Sequence, residues 1–300
     1  MSFLFNRTSA ILLAFTVGAL VPQAHSASWL VRYLIMTMLF IVFLQTKFSK
    51  DSLHRSHGIL FLANLGMGLF GFGAGYFFGG RNIALALFFA GITPTATAAA
   101  VIVSFLKGRV DYVVAAFLIT NLGIALLMPL LLPFVLGEAT PDVFGRVFGS
   151  ILIVVFIPLG TAILLRIQYP PCIKWPMKLR NVSFGLWLSA MFLIMANASD
   201  FLRAQTNLPP STLVTIGLGS LVVCGLNFAI GRWIGGADFG REASQALGQK
   251  NTAFTIYLAM TYASPLIALG PTFYVVWHNL WNSLQLHRAA KVQRSSTKTQ

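Results

Sequence analysis

Apolar runs of about 20 residues recur along the whole chain. This feature limits the fold more than any motif does. A helix of that length crosses the hydrocarbon layer of a bilayer, and a backbone in lipid has to satisfy its own hydrogen bonds. The pattern therefore reads as an all-α, polytopic membrane protein with the lipid bilayer as its solvent. Charge content agrees, since only 9% of the 300 residues are charged, against about 25% in soluble domains. The mean hydropathy is +0.78. A net charge of +14 would fit nucleic acid, but the basic residues sit mostly in short loops between runs. They read as topology signals, and no nucleic-acid partner is expected. The two cysteines, Cys172 and Cys224, lack the spacing of a disulfide framework or a metal site.

The first run, Ser9 to Val21, is short, follows Arg7 and ends at Pro22. Ala24-His25-Ser26 is a passable cleavage site, so a signal peptide and a retained first helix both fit. The second run is Trp29 to Thr46, with Arg32 in its first turn, able to snorkel to the outer interface. A polar, basic loop from Lys47 to His57 leads to a third span, Gly58 to about Phe78. Asn64 is its one strongly polar residue. Gly66 and Gly68, then Gly71, Gly73 and Gly75, indicate close helix packing. The fourth run, Asn82 to Leu106, is interrupted at Pro94. Proline removes a backbone donor and clashes with the preceding turn, so a break is expected there. After Lys107-Gly108-Arg109 the fifth span runs from about Tyr112 to Leu136, with Asn121 inside it and Pro129 and Pro133 near its end. The sixth span is Val147 to Leu165 and the seventh is Val182 to Ala198. Asp200 to Pro210 connects to the eighth, Thr212 to Ile230. Arg232, Asp238 and Arg241 are expected to fill a turn. The tenth span covers Leu266 to about Leu286, and a basic tail, 288–300, follows.

The ninth run contains Ala243 to Thr252, A-S-Q-A-L-G-Q-K-N-T. Gln245, Gly248, Gln249, Lys250, Asn251 and Thr252 stand where a spanning helix would be apolar. Lys250 is the one Lys or Arg that this span assignment puts deep in the membrane, where ionisable residues are costly and mark functional sites. The bland alternative has Lys250 snorkelling or filling a wet gap. Apolar sequence on its far side, Ala253 to Ala259, weighs against that.

With the N-terminus inside and ten spans, sixteen Lys and Arg fall on the cytoplasmic side. The other side holds four: Arg32, Arg81, Arg146 and Arg203. That bias supports both termini being cytoplasmic, and the acid-poor loops fit a bacterial inner membrane. The fourth and ninth runs, both broken, hold equivalent places in two five-helix halves. This is the pattern of two inverted repeats whose broken helices form a midplane site, and it reads as a secondary transporter. A channel uses broken helices too. There is no phosphate-binding loop that would suggest ATP-driven pumping.

At the two breaks the chain resembles the bile acid:sodium symporter family. Ile92 to Gly108, I-T-P-T-A-T-A-A-A-V-I-V-S-F-L-K-G, is similar to the family's C-P-G-G-T-A-S-N-V-M-T-x-L-A-x-G. Gly248 to Phe254, G-Q-K-N-T-A-F, is similar to E-x-G-M-Q-N-S-G-L, and Tyr274 to Asn279 resembles the V-W-H-N of the last helix. The resemblance implies ten helices, the first one retained. Panel helices would fall at roughly 9–46 and 147–203, and core helices at 58–136 and 211–287, with the fourth and ninth crossing at their unwound segments. It also implies an organic-anion substrate and two sodium ions behind the crossing.

The sodium positions depart from that pattern. The family's Ser-Asn pair falls on Ala99 and Ala100, and its fifth-helix hydroxyl residues fall on Val113 and Phe117. Its shared Glu falls on Ala246 and its Gln on Lys250, while its third-helix Gln falls on Asn64. Thr97 and Asn251 keep the family residue type. Alanine, valine and phenylalanine supply no oxygen ligand, and a cation beside Lys250 would be repelled. The expectation is that both sodium sites are absent. The Lys250 ammonium would then brace the crossing through backbone carbonyls, Asn64 and Asn251. A permanent ammonium would give a sodium-independent uniporter or exchanger, and a titrating one would permit proton coupling. Either way a positive site with half-helix N-termini favours a small organic anion (a carboxylate, sulfate or bile-acid-like molecule). Thr95 and Thr97 supply hydroxyls there.

Of the other polar residues, His278 either relays protons or is a packed histidine bonded to a neighbouring helix, and the packed reading applies to Asn279 as well. Asn121 faces either the site or a helix contact. Glu242, eight residues before Lys250, is expected to be an interfacial acid rather than its ion-pair partner. No catalytic triad, metal cluster or cofactor motif is present, so no enzymatic activity is expected. The rivals to a sodium-independent transporter are a sodium-coupled symporter and a non-transporting sensor or binding protein on the same scaffold.

Overall fold

The structure, a computed structural model, describes residues 2–45, 52–204 and 209–297. Thr46, Lys47, Lys50 and Lys298, which enter the span and charge assignments above, lie outside the described residues. The described backbone is helical with no strand. Its helices are α1 (Ser2–Leu20), α2 (Leu30–Gln45), α3 (Arg55–Ile92), α4 (Ala98–Phe105), α5 (Val110–Val135), α6 (Pro141–Ile151), α7 (Ile157–Gln168), α8 (Trp175–Lys178), α9 (Arg180–Ala204), α10 (Pro210–Gly248), α11 (Thr252–Tyr262) and α12 (Pro265–Thr297). Among the described residues, five helical stretches are long and apolar enough to cross a membrane: Arg55–Ile92, Val110–Val135, Pro141–Gln168, Asn181–Ala204 and Pro210–Gly248. Shorter apolar helices lie at Ser9–Leu20 and Leu30–Leu44.

Two of these helices are too long for a single crossing. The 38 residues of α3 would reach about 57 Å if straight, nearly twice the ~30 Å hydrocarbon layer. Instead α3 folds back at Gly80, at φ 75°, and α10 does so at Gly236, at φ 60°. Both angles lie in the left-handed region that glycine enters without steric cost. The arms on either side then pack closely. A Cβ on Gly71 would sit 2.5 Å from the Leu87 carbonyl oxygen, and one on Gly231 2.5 Å from that of Ala243. Of the glycines expected to pack, Gly71, Gly75 and Gly68 meet the opposing arm, whereas Gly66 and Gly73 face open space. The turn expected around Arg232, Asp238 and Arg241 is thus a single residue, because one left-handed glycine is enough to reverse the chain.

Each folded helix runs into a break. Helical residues 81–92 end in a non-helical segment, 93–97, before α4. Residues 237–248 end in 249–251 before α11. The order of long helix, left-handed glycine, short helix, break and second short helix therefore occurs twice.

Other boundaries shift for local reasons. The sixth span begins at Pro141, capped by the Thr140 hydroxyl, and includes a π-helical turn, Leu152–Phe156. Pro158 follows that turn; it has no N–H, and its ring crowds the carbonyl four residues back, which favours widening. α9 runs on to Ala204 and α10 starts at Pro210, so the connector expected from Asp200 to Pro210 is shorter. α12 continues to Thr297, so the basic tail begins as helix. α1, α2, α7 and α9 pack on one another, and α3, α10 and α12 form a second group that α4, α5 and α11 join.

Beside a buried apolar core, large apolar side chains lie on the outer surface and several strongly polar ones are enclosed. Phe77 is 83% and Trp233 82% exposed, while Asn64, Asn227, Gln245 and Lys250 are at most 2% exposed. Apolar side chains face outward, toward lipid tails, and polar ones are enclosed by protein.

Candidate functional site at the helix crossing

The two breaks cross, and their backbones pair. Thr95 and Lys250 form an isolated antiparallel bridge. The Ala96 N–H donates to the Gln249 carbonyl at 2.8 Å, and the Asn251 N–H donates to the Pro94 carbonyl at 2.8 Å. Each break thereby satisfies backbone groups that Pro94 and the loss of helix set free, without calling on water. The Thr95 hydroxyl donates to the Ala246 carbonyl at 2.6 Å, and Asn121 Nδ2 donates to the Thr95 carbonyl at 2.8 Å. Thr120 Oγ1 accepts from the Thr95 N–H at 3.2 Å. Asn121 thus ties α5 to the crossing.

Lys250 is buried to 2% exposure. Its Nζ donates to Asn64 Oδ1, and to the Gly91 carbonyl at 3.3 Å. Asn64 Nδ2 in turn donates to the Ile92 carbonyl at 2.8 Å. Gly91 and Ile92 end the helical stretch 81–92, where carbonyls lack helical partners and the helix dipole is negative. An ammonium suits that position. The expected bracing through Asn64 and a backbone carbonyl is present, but the part assigned to Asn251 is not. Asn251 Nδ2 instead contacts Asn121 Oδ1 at 3.4 Å, because side chains of neighbouring residues in an extended break point to opposite sides. Tyr274 Oη donates to the Gly248 carbonyl at 2.8 Å, capping the other stretch, 237–248, in the same manner.

The N-terminal ends that face the break carry no side-chain cap: neither Thr97 ahead of α4 nor Asn251 ahead of α11 makes one. Both are half-buried. Thr252 is buried at the start of α11. The accessible lip of the crossing thus includes two helix N-termini without side-chain caps, ends whose dipoles favour anions.

Apart from Lys250, the positions matched to the family's sodium ligands pack among apolar side chains. Ala99, Val113 and Ala246 belong to one buried cluster with Leu60 and Val103, and Ala100 packs against it. Phe117 is buried in the largest apolar cluster.

Other candidates lie off the crossing. The Gln249 side chain accepts from Asn282 Nδ2 at 2.5 Å, and Gln245 Nε2 donates to Asn282 Oδ1 and Gln285 Oε1. This ladder ties α10 to α12. Asn279 donates to the Val275 carbonyl of its own helix at 2.7 Å. His278 is buried with its ring edge-on to Tyr274, 5.6 Å away, and its Nδ1 has no hydrogen-bond partner. The bond expected from His278 to a neighbouring helix is therefore not made through that nitrogen. Glu242 is buried within the protein, beside the basic turn at Arg109, and makes no ion pair with Lys250. It accepts from the Arg109 N–H at 2.8 Å, holding the start of α5. Thr120, Tyr274, Asn282 and Gln285 escaped the sequence reading, although each is a polar group within an apolar run, the same signal that marked Asn64 and Asn121.

The fold and this interior define an all-helical, polytopic membrane protein. No family model matches the chain. It is similar to a protein of Bacillus subtilis (strain 168) named as an uncharacterized sodium-dependent transporter, YocS, with 26% identity over 207 residues, 68% of this chain. The match spans 63% of the length of YocS.

Proposed function

We propose that the chain is a secondary transporter that carries a small organic anion by alternating access, without sodium. The observation that carries this is the Lys250 ammonium at the crossing, hydrogen-bonded to Asn64 and the Gly91 carbonyl. It supplies a positive charge where a coupled carrier of this plan would hold a cation. Apolar packing at the positions matched to sodium ligands supports the same reading, as do the uncapped N-termini at the lip. The twice-repeated order of elements around Gly80 and Gly236 is what two inverted repeats and a ten-span plan require. The likeness to YocS supports membrane transport in general. The family read from the motifs, the bile acid:sodium symporters, is the finer assignment we favour, with both termini on the cytoplasmic side of a bacterial inner membrane.

A second reading, sodium-coupled symport, is favoured by the name of YocS. One experiment separates the two. Uptake of carboxylates, sulfates and bile salts into proteoliposomes is measured with sodium and pH gradients imposed separately. Saturable uptake indifferent to sodium is expected, and stimulation by a pH gradient would make Lys250 the candidate coupling group. Uptake that requires sodium would overturn sodium independence. Binding without flux across the panel would favour a sensor.

A further inference from the structure

We propose that a cleft between α2, α9 and α11 binds the carboxylate of an anion with an apolar body and a single charge, and that Arg32 receives that charge. The inference rests on the transporter reading for its biological meaning and names the chemistry by which the substrate is first bound. The cleft measures about 400 Å³, within the ~300–1,000 Å³ common for small-molecule sites. Trp29, Arg32, Asn197, Tyr257, Met260 and Thr261 line it. Tyr257 stands five residues into α11, so the cleft opens about 8 Å along that helix from the break.

Arg32 is the one cationic residue of the lining, and the lining holds no acid. Arg32 Nε is buried with no hydrogen-bond partner. Two carboxylates near this end of the molecule are engaged elsewhere, Asp142 with Arg146 at 3.0 Å and Asp200 with His25 at 3.6 Å, and Glu138 is not part of the lining. A buried guanidinium donor without an acceptor is costly. A carboxylate answers it with two parallel hydrogen bonds, a geometry that arginine favours.

The remaining polar groups are largely committed. Asn197 Nδ2 donates to Ser28 Oγ at 3.0 Å, Tyr257 Oη pairs with Ser150 Oγ at 2.8 Å, and the Thr261 hydroxyl donates to the Tyr257 carbonyl at 2.7 Å. Neutral donors remain, such as the second N–H of Asn197 and the Ser28 hydroxyl, but none of these groups carries a charge. A second carboxylate on the ligand would find no second cation, only neutral groups and apolar wall, including Trp29 and Met260. The cleft therefore selects monoanions over dianions.

The test places a reporter thiol at Met260→Cys in the full chain, with the buried Cys172 and Cys224 replaced by alanine. Its labelling by an anionic methanethiosulfonate (sulfonatoethyl) and a cationic one (trimethylammonium-ethyl) is timed, each rate divided by that reagent's rate with a free thiol. One fixed charge nearby is expected to favour the anionic reagent roughly tenfold. Arg32→Gln should bring the ratio close to one, and Arg32→Lys should keep most of it. In the protein with Arg32 intact, 4-phenylbutyrate should slow labelling, whereas its uncharged amide and the dianion phenylsuccinate should not. A ratio unmoved by Arg32→Gln, or equal protection by acid and amide, would overturn the inference. The acid–amide comparison needs no Arg32 variant, so it decides even if that variant fails to fold. Labelling also needs no flux: absent uptake with labelling as expected would defeat the transporter reading alone, and sodium-free uptake with an unmoved ratio would defeat this site alone.

Discussion

At the scale of single residues, Lys250 and Asn64 are unequal halves of one contact. Lys250→Met removes the charge and strands Asn64 Oδ1 and the Gly91 carbonyl as buried acceptors, a loss of about 1–3 kcal/mol. Asn64→Leu leaves a buried ammonium with one weak acceptor, at 3.3 Å, and strands the Ile92 carbonyl as well. It should therefore destabilise more than Lys250→Met does. Thermal unfolding of the two purified variants checks the order, and the reverse order would mean that the lysine is neutral or hydrated from elsewhere. Both variants should lose uptake, since each alters the charge or its position at the crossing. Lys250 was legible in the sequence because a cation inside an apolar run is rare. Its partners were half legible. Asn64 stands out as the polar residue of its span, whereas nothing local distinguishes the Gly91 carbonyl from any other.

At the scale of elements, the folded-back helices rest on two left-handed glycines. Gly80→Ala and Gly236→Ala should each cost about 1–2 kcal/mol, because a Cβ at positive φ crowds the following carbonyl. Gly66→Ala and Gly73→Ala, whose new methyl groups would meet nothing within 4 Å, should be neutral or stabilising by up to about 1 kcal/mol, since alanine favours helix. Midpoints of thermal unfolding for the four variants test this, and equal effects would mean that the turns do not depend on glycine geometry. The sequence marked both helix breaks, through Pro94 and through the polar run ending at Thr252. It did not mark the sharpness of the turns, because a lone glycine among apolar residues looks the same whether it packs, turns or faces lipid.

At the scale of the whole molecule, a cation-filled crossing predicts indifference to sodium. Millimolar sodium, compared with choline, should leave the unfolding temperature of the purified protein unchanged. Ala246→Glu combined with Lys250→Gln restores an acid and removes the cation, and should introduce sodium-dependent stabilisation. A sodium-induced rise in the unsubstituted protein would defeat the absent-site reading. The sequence by itself determined the helical membrane class, the two breaks and the charge within one of them. Those follow from the length of apolar runs and from residue types that lipid excludes, which are properties of the chain read locally. The tertiary structure decided what meets at the breaks: the backbone bridge between Thr95 and Lys250, the carbonyls beneath the ammonium, and the cleft that gathers Trp29, Arg32, Asn197 and Thr261. Those contacts join residues far apart in sequence, and which of many polar groups pair is set by the packing of helices, where every enclosed donor and acceptor competes for the same few partners.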